Sequence, residues 1–168
     1  TPEEAIVDLV IEDDSRIQCI YFSMSEDNIR KKIKLPWVSF CSDAGSFSDP
    51  SDGFRTHPRA FGSFIRVLGK YSRDEGLISL EEGVRKLTGF PAKNLGLKNR
   101  GLLKEKYFAD VVVFDPKKVK DNATFNDPIQ YAEGVEDVFV NGQQVLKNGI
   151  HTGILSGKFV KGPGYKEN

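Results

Sequence analysis

The sequence predicts an α/β chain in which βα units around a parallel sheet give way to an antiparallel β unit. Three observations carry this. In the first third, apolar stripes at helical spacing alternate with short runs of β-branched and aromatic residues. A long loop of Gly, Ser, Asp and Pro follows, over residues 42–58. In the last third, short strands and Asn-Gly turns replace the alternation.

The elements follow in order. Thr1-Pro2-Glu3-Glu4 is a helix start, with Thr as N-cap, Pro at the first helical position and Glu4 reaching back. Ala5, Ile6, Leu9 and Val10 then put one apolar stripe on a helix of about three turns. Residues 17–22 (Ile-Gln-Cys-Ile-Tyr-Phe) read as a strand by type and length. Ser25 caps a second helix over 26–34 with a basic exposed face, and Pro36 stops it. Residues 37–41 (Trp-Val-Ser-Phe-Cys) read as a second strand.

Beyond the loop, Phe61, Phe64, Ile65 and Leu68 stand at i, i+3, i+4 and i+7 and predict a helix, with Pro58 near its first turn. Ser79-Leu80-Glu81-Glu82 is a capping box, and the helix it opens carries Leu80, Val84 and Leu87 down one face until Gly89. Pro91 opens a short turn that ends near Gly96. Residues 110–116 read as a buried strand closed by a turn, and 138–146 as a hairpin about Asn141-Gly142. Asn148-Gly149 offers a second such turn, and the chain has no internal repeat.

Composition narrows the function classes. The 168 residues hold 24 Lys+Arg against 24 Asp+Glu, and 39% are hydrophobic, enough for a core. A balanced charge gives no electrostatic footprint for nucleic acid. No apolar run reaches the roughly 18 residues of a membrane span. The acidic, helical start does not read as a signal peptide. Two cysteines make no disulfide framework, so a reducing cytoplasm is the expected compartment. The chain opens at Thr1 inside a helix signal and its one Met is Met24, so it reads as a piece of something longer.

Few residues are placed to carry chemistry. His57, His151, Cys19 and Cys41 are not at metal-ligand spacing, and a catalytic zinc takes three protein ligands. The chain alone is therefore not expected to assemble such a site. Cys19 and Cys41, inside apolar runs, are expected to be small buried hydrophobes. Asp43 lies just past the strand predicted at 37–41, at the end where active sites of barrels and open α/β sheets sit. A carboxylate there is placed to take a proton from a metal-bound water and pass it to a leaving group. Its alternative role is to bond nearby loop N–H groups.

His57-Pro58-Arg59 ends the same loop. The Arg59 fork can clamp a substrate carboxylate or make a surface ion pair. His57 can donate a hydrogen bond beside such a site or cap the helix. Ser46, Ser48 and Ser51 lack a Gly-x-Ser-x-Gly elbow, and no glycine-rich phosphate loop is present.

At these positions the chain resembles a known family. Ser42-Asp43-Ala44-Gly45, His57-Pro58-Arg59-Ala60-Phe61-Gly62 and Arg66-Val67-Leu68-Gly69-x-Tyr71 are similar to the N-acyl-D-amino-acid deacylases, or D-aminoacylases, of the amidohydrolase superfamily. The likeness continues through Tyr107-Phe108-Ala109-Asp110-Val111-Val112-Val113-Phe114-Asp115-Pro116, Phe125-x-Asp127-Pro128, Tyr131-Ala132-Glu133-Gly134-Val135 and Val140-Asn141-Gly142 to His151-Thr152-Gly153. It covers roughly residues 37–164. The Ala-Asp-Val-Val-Val-Phe-Asp and Val-Asn-Gly pieces are shared by many amidohydrolases; the His-Pro-Arg-x-x-Gly and Asp-Pro to Tyr-Ala-Glu-Gly blocks point to the deacylases.

The resemblance implies a metal-dependent (β/α)₈ barrel with a small β domain. Residues 1–96 would be the last βα units of the barrel, and 97–168 the C-terminal strands of a small β-sandwich domain. Asp43 would be the catalytic carboxylate, with Arg59, His57 and Gly45 binding an N-acyl amino acid substrate. Zinc would be held by His and Cys ligands on earlier barrel strands, which no position here matches. The expected reaction is hydrolysis of the amide of an N-acyl-D-amino acid. A cyclic-amide hydrolase (dihydroorotase- or hydantoinase-like) and a non-catalytic assembly module are the alternatives. Alone, the segment is expected to be inactive and prone to self-association through uncovered edges and apolar faces.

Overall fold

The computed structural model describes residues 1–14, 17, 19–45 and 56–166. Helices fill the first part of the chain and one antiparallel sheet the last. Helix α1 spans Pro2–Asp13; the Thr1 side chain accepts from the Glu4 N–H and the Glu4 side chain reaches back, the capping box read from sequence. No residue of α1 is buried, so its apolar stripe faces outward. Helix α2, Glu26–Ile33, is capped by Ser25, which accepts from the Asn28 N–H.

Among the described residues, neither strand expected in the first third forms. Ile17 and residues 19–22 carry no strand pairing, and Gln18 lies outside the described residues. Residues 37–41 run as a turn followed by irregular chain, with Trp37 exposed. A parallel strand needs hydrogen-bonded neighbours on its edges, and the described residues hold no parallel pairing. Part of the backbone before and within 37–41 is satisfied otherwise: the ammonium of Lys86 donates to the carbonyls of Leu35 and Val38. Cys19 and Cys41, expected to be buried, are exposed free thiols, because the runs that hold them are not packed as strands.

Helix α3, Arg59–Arg66, passes directly into a π-helical segment, Val67–Asp74. Its wider turn shows in the Glu75 N–H, which donates to the Lys70 carbonyl five residues back at 2.9 Å. Helix α4, Leu80–Leu87, is capped by Ser79 through the Glu82 N–H. The reciprocal half of the expected box is absent, since the Glu82 carboxylate pairs with Arg85 at 2.6 Å. Helix α5, Gly89–Asn94, completes the helical part, and the chain turns at Gly96 with φ of 64°.

The sheet is a meander, β1 Val111–Phe114, β2 Val135–Val140, β3 Gln143–Lys147 and β4 Ile150–His151, in that spatial order. Both Asn-Gly pairs make the turns expected of them. Asn141 and Gly142 have φ of 51° and 81°, and Asn148 and Gly149 φ of 49° and 77°. Positive φ at both central positions suits the right-handed twist of the flanking strands. Strand β1 is half exposed rather than buried, with Val112 and Val113 open to solvent.

The core joins the two parts. Its buried members are Ile33 of α2, Val67, Leu68 and Tyr71 of the π-helix, Ala92 of α5, and Val119 and Ala123 on the connection between β1 and β2. Among the described residues no helix is long and apolar enough to cross a membrane.

Candidate functional site

The loop that separates α2 from α3 is described at both ends, residues 42–45 and 56–58; Ser46, Ser48 and Ser51 lie outside the described residues. The two ends meet. Asp43 adopts a left-handed backbone conformation, φ 49°, and its N–H donates to the Cys41 Sγ at 3.3 Å. That bend carries its side chain to Arg59 in the first turn of α3, where Arg59 Nη1 lies 3.0 Å from Asp43 Oδ2. The carboxylate is 85% exposed and the guanidinium 43%, so the pair is wet and readily exchanged for a competing anion.

His57 completes the turn into α3. Its Nδ1 accepts from the Arg59 N–H at 3.0 Å, which does the work of a helix cap where Pro58 offers no side-chain acceptor. Partial burial, and then the nearby Arg59 charge, push the imidazole below its ordinary pKa. A neutral ring is what an accepting Nδ1 requires. The Ser63 hydroxyl donates to the Arg59 carbonyl at 2.7 Å and holds the same turn from inside.

A Cβ built on Gly45 meets nothing within 4 Å among the described residues.

Aromatic rings flank these groups, and sequence reasoning assigned them no role at the site. The Phe125 ring packs edge-on against His57 at 5.1 Å and against Phe22 at 4.8 Å, while Phe61 of α3 meets Tyr131 at 5.6 Å. Phe125 and Tyr131 belong to blocks that marked the family resemblance. Their place beside His57 and α3 depends on how the connection between β1 and β2 folds back, which local pattern does not encode.

The arrangement offers one carboxylate able to hold a proton and one guanidinium fork able to bind another carboxylate. It offers no metal cage: among the described residues no three of His, Cys, Asp and Glu gather where a metal ion would be held.

Residues 22–146 match the model of the amidohydrolase family. An N-acyl-D-aspartate deacylase of Alcaligenes xylosoxydans xylosoxydans is 38% identical over 167 residues, 96% of this chain and 32% of its own length. A crystal structure of a D-aminoacylase, described as defining a novel subset of amidohydrolases, superposes with TM-score 0.72 at 43% identity, covering 80% of this chain and 27% of that one. An N-acyl-D-glutamate deacylase from Bordetella bronchiseptica, solved with zinc and a phosphonate mimic of the tetrahedral intermediate, gives TM-score 0.68 at 42% identity, covering 74% and 25%. The chain thus spans about a third or less of the length of these relatives. On the match of its residues 22–146, the chain belongs to the amidohydrolase family.

Proposed function

We propose that this chain is the C-terminal portion of an enzyme that hydrolyses the amide bond of N-acyl-D-amino acids. The observation that carries the reading is the Asp43–Arg59 contact at 3.0 Å, which joins a proton-holding group to a carboxylate-binding one at the start of α3.

In this reading Arg59 exchanges Asp43 for the α-carboxylate of the substrate, since a planar fork suits a carboxylate and an exposed pair yields it at little cost. Asp43 Oδ2 accepts a proton from the attacking water and returns it to the departing nitrogen, leaving a carboxylate and a free D-amino acid. His57 keeps the first turn of α3 in place, and Gly45 leaves room for the substrate. Phe125 and Phe22 form an apolar wall beside it. Zinc, which accompanies the N-acyl-D-glutamate deacylase relative, would be held by residues other than those described here.

The segment 1–96 corresponds in this reading to the last units of a (β/α)₈ barrel, and 97–168 to strands of a small β domain. The division between helices and sheet supports that boundary. Two exposed free thiols suit a reducing cytoplasm. The uncovered apolar face of α1 supports self-association of the isolated segment.

The test is turnover by the protein as its natural gene encodes it. N-acetyl-D-amino acids should be cleaved and their L-enantiomers left intact. Cleavage of dihydroorotate or a hydantoin instead, with Arg59→Lys indifferent, would move the assignment to the cyclic-amide hydrolases.

A further inference from the structure

Arg59 stands at the very first position of a two-turn helix, so the roll of that helix aims its side chain. Arg59, Gly62 and Arg66 lie along one face of α3, at i, i+3 and i+7. The far two meet the same residue. Arg66 Nε donates to Asp121 Oδ2 at 2.7 Å, and the Asp121 side chain is 11% exposed. Gly62 lies so close that a Cβ built on it would stand 2.8 Å from the Asp121 Cβ. Steric approach and ion pairing are independent observations, and both index α3 against one side chain.

Asp121 is itself held. Lys120 and Glu133 bond to each other's backbone at 3.2 and 2.9 Å, and the Asn122 amide donates to the Glu133 carboxylate at 2.9 Å. One turn nearer Arg59, Phe61 packs on Tyr131 of the same connection. A second carboxylate waits nearby: Glu26 Oε1 lies 4.0 Å from Arg66 Nη1. That carboxylate already takes Lys70 at 3.2 Å and the Tyr71 hydroxyl, so Asp121 is the near partner that fixes Arg66.

We propose that Asp121 is a positioning residue for Arg59, acting through the roll of α3 and not through contact with substrate. The proposal rests on the assignment of Arg59 as the carboxylate clamp. It makes the connection between β1 and β2 part of what fixes the substrate site.

The experiment is a double-mutant cycle in the protein as its natural gene encodes it, with kcat and KM measured for an N-acetyl-D-amino acid. Asp121→Asn is expected to raise KM by about threefold to tenfold with kcat within about twofold, the size of effect a small misplacement produces. In an Arg59→Ala background the same change should have no further effect on KM. Arg66→Gln, approached from the helix side, should reproduce the KM rise if Asp121→Asn does not fold. Additive effects in the cycle, or equal losses in kcat and thermal stability with KM unmoved, would overturn the proposal. An unchanged KM in Arg59→Ala alone is a distinct result, which removes the clamp reading and this proposal with it.

Discussion

Gly69 of the π-helix lies against the carbonyl of Val119, so close that a Cβ on Gly69 would sit 2.5 Å from that oxygen. Val119 is fully buried, and its carbonyl also accepts from Arg73 Nη1 at 2.7 Å. From the other side, Gly134 approaches the Val119 N–H equally closely, 2.5 Å from a built Cβ. At Val119 the connection between β1 and β2 thus lies hard against Gly69 of the π-helix and against its own last residue, Gly134.

Gly69→Ala should therefore destabilise the fold by about 1–3 kcal/mol, the usual cost of overpacking against backbone. Gly157→Ala, where a Cβ meets nothing within 4 Å, serves as the control and should stay within about 0.5 kcal/mol. Urea midpoints of the two variants decide the matter.

Lys86 has a fully buried side chain whose ammonium donates to the carbonyls of Leu35 and Val38. Lys86→Met keeps most of the volume but leaves both acceptors without that donor, at a cost of about 1–3 kcal/mol. Burial holds the ammonium below its ordinary value of 10.5, with Glu82 opposing the shift and Arg85 adding to it. Just below pH 10.5 the unfolded chain keeps a proton that the folded chain has shed, so this residue's contribution to stability rises with pH there. Denaturation curves at stepped pH should show that rise in the parent and lose it in Lys86→Met.

At the acid end of the range Glu75 gives stability the same dependence, lost as pH falls. Its carboxylate takes Arg30 Nε at 2.7 Å and Nη2 at 3.1 Å, which holds its pKa below the ordinary 4.5. A carboxyl depressed by folding contributes fully above 4.5 and loses that contribution as pH falls through its lower folded value. Glu75→Gln should be less stable than the parent at pH 7, with the gap narrowing as pH falls below 4.5. A constant gap between the two across that range would show that Arg30 gives the carboxylate nothing.

For the proposed reaction, the two site residues should fail differently. Arg59→Ala should raise KM for an N-acyl amino acid and leave an N-acyl amine, which has no carboxylate, unaffected. Asp43→Asn should lower kcat by about 10²–10⁴, the range for loss of a general acid–base group. Steady-state kinetics of both variants on both substrates separate the roles.

What was legible in the sequence was local. The Thr1 and Ser25 caps, the two Asn-Gly turns and the helix through Phe61 each depend on residues within about one turn of one another. Asp43 and Arg59 are legible as chemistry-bearing residues at the two ends of one loop, and their side chains stand 3.0 Å apart in the structure. The runs at 17–22 and 37–41 misled because β-branched composition marks what a strand would bury, while pairing decides whether one forms. Lys86 and Asp121 gave no local signal. Their partners lie 51 and 55 residues away, and only tertiary packing turns an ordinary helix lysine or loop aspartate into a buried bond.

Helix α1 has its cap satisfied and no face covered. A helix of this length, standing on its own hydrogen bonds, is marginal in water. Its amides should therefore trade hydrogen for deuterium almost as fast as those of a free peptide. The amides of β2, bonded to strands on both sides, should hold theirs until the whole sheet opens. Within one short chain the fold sets up a gradient of protection, loosest at the helix whose local sequence is the most thoroughly prepared to form it.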